Sequence, residues 1–329
     1  MRFASKGIGV VLLALVAQAA LAQGPSTSSG QDYPRRPIKM ILPNAPGSSN
    51  DTLARVLGAR MGDVIGQQIV IENQAGASGL IGMETTKNAA PDGYTIASAS
   101  PSGMTIAPNL RKSLPYDPLR DFDFVSMFAV LPNLLVVTPS LPVKSTKELI
   151  DWCKAHPGQV NMASAGPGSQ SHLAGAMMQV MGRFDSVHVP YKGGGASVLS
   201  VMTGESQWTI TPASAAIGHV RSGKLRALAH SLPQRSALLE GLPTVAETIP
   251  GYSYSAWNGI VTPKGAPRTV IDKLRAALVK TLALPEVKAA IEKQGAEIVT
   301  DTPEEFRKLV EQEIRDTGKV VKAAGLKIQ

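Results

Sequence analysis

Short apolar runs alternate with helical stretches almost from one end of this chain to the other. That alternation restricts the fold to strands covered by helices on both faces. The runs are Ile38 to Leu42, Ile69 to Glu72, Tyr94 to Ala99, Leu134 to Val137, Val160 to Ala163, Val187 to Pro190, Leu225 to Ala229, Ile260 to Thr262 and Glu297 to Val299, each read as a strand. Helix starts between them carry their own signals. Ser145 with Glu148 three residues on is a capping box, and Thr302-Pro303-Glu304-Glu305 joins a cap, a first-turn proline and a second box. From Pro267 the apolar positions Val270, Ile271, Leu274, Leu278 and Leu282 form one face of an amphipathic helix, and Pro285 opens another that ends near Gly295. The predicted fold class is α/β, with mainly parallel sheets flanked by helices.

The first residues are a charged stub with Arg2 and Lys6, an apolar stretch from Ile8 to Ala20, and the small-residue site Ala20-Leu21-Ala22. This is the pattern of a secretory signal peptide over residues 1–22, cleaved after Ala22. Residues 23–32 read as a flexible leader. No later run of about 18 apolar residues follows, so an exported, soluble mature protein is expected. The remaining chain is too long for one comfortable core and suits two lobes of roughly 150 residues each. Cys153 is the only cysteine, which excludes an intrachain disulfide, and its setting in DWCKA predicts a small buried hydrophobe.

The net charge is +8, which favours anionic ligands. Basic pairs such as Arg35-Arg36 and Arg111-Lys112 are scattered rather than gathered in a stripe with aromatics, and this excludes a nucleic-acid interface. Neither HExxH, GxSxG nor GxxxxGK[ST] occurs, and the five histidines lack metal-ligand spacing, so no metal or cofactor is expected. GPGSQS from Gly166 to Ser171 is a near miss to a dinucleotide fingerprint, with Ser171 in place of the last glycine.

Two segments concentrate hydrogen-bond donors. PNAPGSSND runs from Pro43 to Asp51 between an apolar run and a helical pattern. SAGPGSQSHLAG repeats the arrangement after Val160 to Ala163, about 120 residues further on. A strand turning through Pro, Gly and Ser into a helix start aims free N–H groups and the positive helix end at one point. Two such cradles suggest two lobes gripping one acidic small molecule.

An ordered set of segments carries a family resemblance over essentially the whole mature length: YPRRPIKMILPNAPGSSNDTLAR, IVIENQAGASGLIG, APDGYTIASAS, LPYDPLRDFDFVS, PNLLVV, NMASAGPGSQSHLAG, VHVPYKGGGA, SGKLRALA, GLPTVAE and TPEEF. The chain resembles the solute-binding proteins of tripartite tricarboxylate transporters, the Bordetella uptake protein family. The resemblance implies a periplasmic Venus flytrap, type II-like, with lobe one at 33–132 and 254–329 and lobe two at 133–253. It also implies two membrane subunits as partners, a monomeric receptor, and a carboxylate held through backbone amides and hydroxyls. By position the ligand-binding residues are Asn44, Ala45, Gly47, Ser48 and Ser49 in the first loop and Ser164, Gly166, Gly168, Ser169 and Gln170 in the second. Ser100, Ser102 and Gly103 stand in a third loop, and Asp51 is expected to cap the first helix.

The chain departs from the family's pattern where PFAAGGGTD is usual. Asn44 replaces an aromatic, and Ser48-Ser49 replace glycines. Thr211 stands where many relatives have an acidic residue, and Gln207 where another aspartate is common. A ligand without an amine is the resulting expectation. The reading is thus a non-enzymatic receptor that delivers a carboxylate to a membrane transporter. Its rivals are an exported hydrolase using Ser169 and His172, and a ligand-sensing partner of a membrane kinase.

Overall fold

In a computed structural model, which describes residues 32–44, 46–76, 79–323 and 325–326, the strands gather into two five-stranded sheets. The expected signal peptide and residues 23–31 of the leader lie outside the described residues. Sheet one takes β1 (Ile38–Leu42), β2 (Ile69–Asn73), β3 (Thr95–Ala99), β4 (Phe122–Leu131) and, from near the other end of the chain, β10 (Ala256–Pro263), in the order β2-β1-β3-β10-β4. Sheet two takes β5 (Asn133–Val137), β6 (Asn161–Ser164), β7 (Val187–Pro190), β8 (Trp208–Pro212) and β9 (Arg226–His230), in the order β7-β6-β8-β5-β9. Each sheet is mixed. β10 runs antiparallel to both neighbours in sheet one, as β5 does in sheet two, while the other strands of each sheet share one direction. The result is a two-lobed α/β architecture within one compact unit, Pro34–Gln329.

Helices α1 (Ser49–Ile65), α2 (Leu80–Lys87), α3 (Ala107–Leu110), α8 (Arg268–Leu282), α9 (Pro285–Lys293) and α10 (Pro303–Ala323) belong with sheet one. Helices α4 (Thr146–Ala155), α5 (Gln170–Gly182), α6 (Gly194–Thr203) and α7 (Ala213–Arg221) belong with sheet two. The amphipathic face of α8 buries Val270, Ile271, Leu274, Leu278 and Leu282 and packs on α1 and β4. Thr302 and Glu305 complete both bonds of their box at the start of α10. At α4, Ser145 accepts from the Glu148 N–H, but the Glu148 carboxylate reaches past the cap to the Lys144 N–H, so only half of the expected box forms.

Three departures from the sequence reading concern strands. Phe122–Leu131 is a ten-residue strand that the apolar runs did not single out, and Trp208–Pro212 is another. Glu297 to Val299 is not a strand: only Glu297 pairs, with Val130, in an isolated bridge. The chain there is held at the β4 edge by a side chain instead, since Asp301 accepts from the Met127 N–H at 2.8 Å and the Ser126 hydroxyl at 3.0 Å.

Each sheet has its own core. Ile41, Ala97, Phe124 and Trp257 meet Met83, Met104 and Phe306 against sheet one. On one face of sheet two, Leu135, Met162, Trp208 and Ile210 meet Leu149, Cys153 and Met178; Leu134, Val136 and Ala163 cover the other face with Val198, Val201 and Ala216. Burying one such side chain stabilises by roughly 1.5 to 3 kcal/mol. Cys153 is buried and its thiol is pushed up to about 12 by desolvation, as a structural cysteine requires. A small further cluster joins the halves: Ile106 on the sheet-one side, Leu173 of α5 and Val321 of α10, flanked by Leu110, Tyr254 and Leu326.

The chain passes between the sheets twice. Pro132 alone separates β4 from β5, and residues 231–255 carry the return. The two passages are bonded to one another. Asn133 gives its N–H to the Ser231 hydroxyl at 2.9 Å and its amide to the Tyr254 carbonyl at 2.8 Å, and the Tyr254 N–H reaches the Ser231 carbonyl at 3.2 Å.

Candidate functional site

The two donor-rich loops have one geometry. In the first, Gly47 adopts φ 78°, Ser48 caps α1 with φ −68° and ψ 160°, and its Oγ accepts from the Asp51 N–H. In the second, Gly168 adopts φ 71°, Ser169 caps α5 with φ −69° and ψ 162°, and its Oγ accepts from the His172 N–H. Only glycine takes those φ values without a Cβ penalty. The segments superpose in sequence as PGSSND on PGSQSH, Pro46 to Asp51 on Pro167 to His172. In both, the third helical residue also takes the glycine N–H: Asp51 Oδ2 at 2.9 Å from Gly47, His172 Nδ1 at 3.0 Å from Gly168. The second helical residue ties back to the strand end, Asn50 to Asn44 at 2.7 Å and Ser171 to the Ala165 N–H at 2.9 Å.

Ser48, not Asp51, is therefore the cap of α1. Asp51 instead closes the loop from inside the helix and is itself enclosed by Arg55 Nε at 2.9 Å and the Asn73 amide at 2.8 Å. The Arg55 bond is the main cause that holds its carboxyl down to about 2, against burial, with the Gly47 N–H and Asn73 adding to it. The N–H groups of Ser49 and Asn50 remain without an acceptor inside the helix.

The second loop faces a cleft of about 680 Å³. One wall is Gly168, Ser169, Gln170, His172 and His188. The other is Ser102, Ile106, Leu110 and Arg111, with Leu326 from beyond α10. Ser102–Ile106 forms a single π-helical turn, a deviation that widens the helix locally and recurs at binding sites. The His172 and His188 rings stack with centroids 3.8 Å apart and planes 5° off parallel. Burial, and secondarily the neighbouring His188, lowers the His172 ring to about 4; burial also lowers His188. Both rings are neutral at pH 7, and Arg111 is the one permanent charge among the described lining residues. No carboxylate lines this cleft among the described residues.

The residues proposed from the sequence divide accordingly. Ser102, Gly168, Ser169 and Gln170 meet at the cleft. Ser164 and Gly166 build the loop behind it: the Ser164 hydroxyl is hydrogen-bonded to His188 Nε2 at 2.6 Å and accepts from the Gly166 N–H at 3.2 Å. Asn44, Ser100 and Gly103 line a separate narrow crevice with Pro43 and Met83. Thr211 is buried in β8, opposite Leu134 of β5 and away from the cleft lining. Ala45 and the side chain of Ser49 lie outside what is described. Arg111, His188 and Leu326 were not singled out by the sequence, although Arg111 stood in a noted basic pair.

Comparison with known proteins follows the same lines. The sequence pattern described as the tripartite tricarboxylate transporter family receptor matches residues 53–326. Protein BugT of Bordetella pertussis is 38% identical over 303 residues, which cover 92% of this chain and 93% of BugT. Among solved structures, an R. palustris protein with adipate is 31% identical with a TM-score of 0.76 and covers 90% of this chain and 99% of its own. The periplasmic binding protein BugD is 31% identical with a TM-score of 0.73 and covers 90% of this chain and 100% of its own.

Proposed function

This chain belongs to the tripartite tricarboxylate transporter receptor family, and from that premise we propose that it is a periplasmic receptor which captures a small carboxylate and hands it to the membrane subunits of such a transporter. The observation that carries this reading is the lining of the cleft: hydroxyls of Ser102 and Ser169, the Gln170 amide, the start of α5, two neutral imidazoles, Arg111 and, among the described residues, no acid. Fixed donors in a half-desolvated cleft bind an anion through charge-assisted hydrogen bonds without first having to reorganise. The adipate held by the R. palustris relative supports a carboxylate ligand. The lining among the described residues, rather than Thr211, is what supports a ligand without an amine: it is made of neutral donors and a guanidinium, and a buried ammonium requires a counter-charge.

The lobes are read as dividing at Pro132 and near Tyr254, where the strands change sheet, with a monomer and two membrane subunits as the working assembly. Ser48 and the first N–H groups of α1 form a second donor set, which a ligand spanning both loops would meet. No catalytic step is assigned. The hydrolase alternative needs a base for the Ser169 hydroxyl proton, but His172 Nδ1 accepts from the Gly168 N–H, which leaves Nε2 of the neutral ring protonated and unable to act as that base. The test is calorimetry of the protein, expressed without its first 22 residues, with mono-, di- and tricarboxylic acids, amino acids and a set of esters. Saturable binding of an acid with no ester turnover is expected. Tight binding of an amino acid alone, or product from an ester, would overturn the reading.

A further inference from the structure

We propose that this cleft selects an acid with an apolar body, and that Leu110 and Leu326 are the residues that read it. The assignment rests on the carboxylate-receptor reading and deepens it, from the charge of the ligand to the carbon skeleton that carries the charge. The two walls of the cleft are chemically unlike. On the sheet-two side the Ser169 hydroxyl, the Gln170 amide and the start of α5 offer the donors that a carboxylate needs. On the sheet-one side every lining residue in chain order between Ser102 and Arg111 is apolar: Ile106, Ala107 and Leu110, with Leu326 added from beyond α10.

These apolar side chains are not equivalent. Ile106 and Ala107 are buried, whereas Leu110 and Leu326 keep part of their surface open. Both leucines are nevertheless held, because they pack on the cluster of Ile106, Leu173 and Val321. Leu110 also reaches the second loop: a Cβ placed on Gly168 would lie 2.9 Å from its Cδ1, so the glycine lets the leucine approach the turn that carries Ser169. A carbon body extending from a carboxylate at the start of α5 therefore runs onto hydrocarbon. Methylene or ring carbon set against Leu110 and Leu326 leaves water for an apolar contact inside a cleft of about 680 Å³. A body carrying hydroxyls gives up water at the same place and finds no donor or acceptor on either leucine. The wall thus separates acids that carry the same charge.

The test uses pairs of acids matched in carbon number and carboxylate count that differ in the hydroxyls on the body: hexanoate with gluconate, adipate with galactarate, and benzoate with gallate. Each is titrated calorimetrically into the wild-type protein, Leu326→Asn and Leu110→Ala. Wild type is expected to prefer the apolar member of its best pair by roughly tenfold or more. Each variant is expected to lose most of that preference through weaker binding of the apolar member, while the hydroxylated member changes by less than about twofold. Thermal unfolding checks the fold of both, and Leu326, which lies outside any helix or strand, gives the variant that leaves the sheets and helices alone. Equal loss for both members of a pair, or an unchanged preference in the folded variants, overturns the assignment to the two leucines. Binding of a hydroxylated or tricarboxylic acid while the apolar-bodied acids bind no better overturns the apolar-body inference and leaves the receptor reading standing. If wild type binds no mono-, di- or tricarboxylic acid, the receptor reading falls and this inference falls with it.

Discussion

At the start of α1, Gly47 gives its N–H to a carboxylate; at the start of α5, Gly168 gives the same N–H to a neutral imidazole. The backbone is alike to within a few degrees at the two caps, so the turn requires an acceptor at the third helical position and does not require a charge. The electrostatic outcome is different. Asp51 brings a negative charge that Arg55 and Asn73 must surround, whereas His172 brings none to the wall of the cleft. Two like charges about 4 Å apart repel by roughly 1 kcal/mol in water and several times that near a protein surface. The loop that faces the cleft closes with the acceptor that would not repel an anion. The first loop can tolerate its carboxylate because it has its own guanidinium.

The largest test of this asymmetry is steric. Ser169→Leu pushes a side chain into the cleft and removes a donor, and carboxylate affinity should fall by more than roughly 100-fold, since one lost charge-assisted bond costs about 1.5 to 3 kcal/mol before steric effects. Ser48→Leu should weaken binding by less, because Ser48 does not line the cleft, while costing about 1 kcal/mol of stability as a lost cap. Calorimetry beside urea unfolding separates the two, and equal losses of affinity would erase the distinction between the loops.

Next in size is the closing acceptor itself. Asp51→Asn removes the charge shared by Arg55, Asn73 and the Gly47 N–H, and should cost about 1.5 to 3 kcal/mol in urea unfolding. His172→Gln, which keeps a neutral acceptor, should cost clearly less. Should His172→Gln prove the more damaging, the imidazole does more than close the turn.

Smaller again is the glycine pair. Gly47→Ala meets no atom within 4 Å and pays only for its positive φ, about 1 to 2 kcal/mol. Gly168→Ala adds a contact with Leu110 and should also lower ligand affinity, which Gly47→Ala should not. Paired unfolding and binding curves decide this.

A last expected effect is on pH. The folded-state value of His172, about 4, lies below its ordinary 6.5, so the unfolded chain takes up a proton first on acidification. The stability from neutral His172 is complete above pH 6.5 and is lost as pH falls from there toward 4. For Asp51 the corresponding window runs from 3.8 down to about 2. Acidification should thus loosen the second loop before the first, seen as earlier broadening or shift of the Gly168 amide than of the Gly47 amide by NMR.

The fold was legible where a run of apolar residues was bounded by turn signals, as at Ile38–Leu42 or Val187–Pro190. It was illegible at β4 because the mostly apolar residues from Phe122 through Val137 are broken only by Asp123, Ser126, Pro132 and Asn133, a pattern in which periodicity marks no clear boundary. Antiparallel entry of β10 and β5 is likewise invisible, since strand direction depends on connections rather than on the residues of the strand. Of the site, the Pro-Gly-Ser turns were readable because their chemistry is local. Arg111 was not: a basic residue at a helix end looks like any surface charge until topology sets it opposite Ser169 and Gln170.

The bonds that tie Asn133, Ser231 and Tyr254 together have a mechanical consequence. Two strands of chain linking two bodies leave them free to twist, slide and fold; pinning those strands to each other removes the first two freedoms and keeps the third. Any opening of the cleft then reduces to a single angle about a line through the pinned passages. Proline at 132 stiffens that line further, because its fixed φ leaves one of the two joints with a single soft torsion. A structure built this way behaves as a door rather than a ball joint. Any change in the gap between Ser169 and Arg111 would then follow one path, with the same two faces meeting each time.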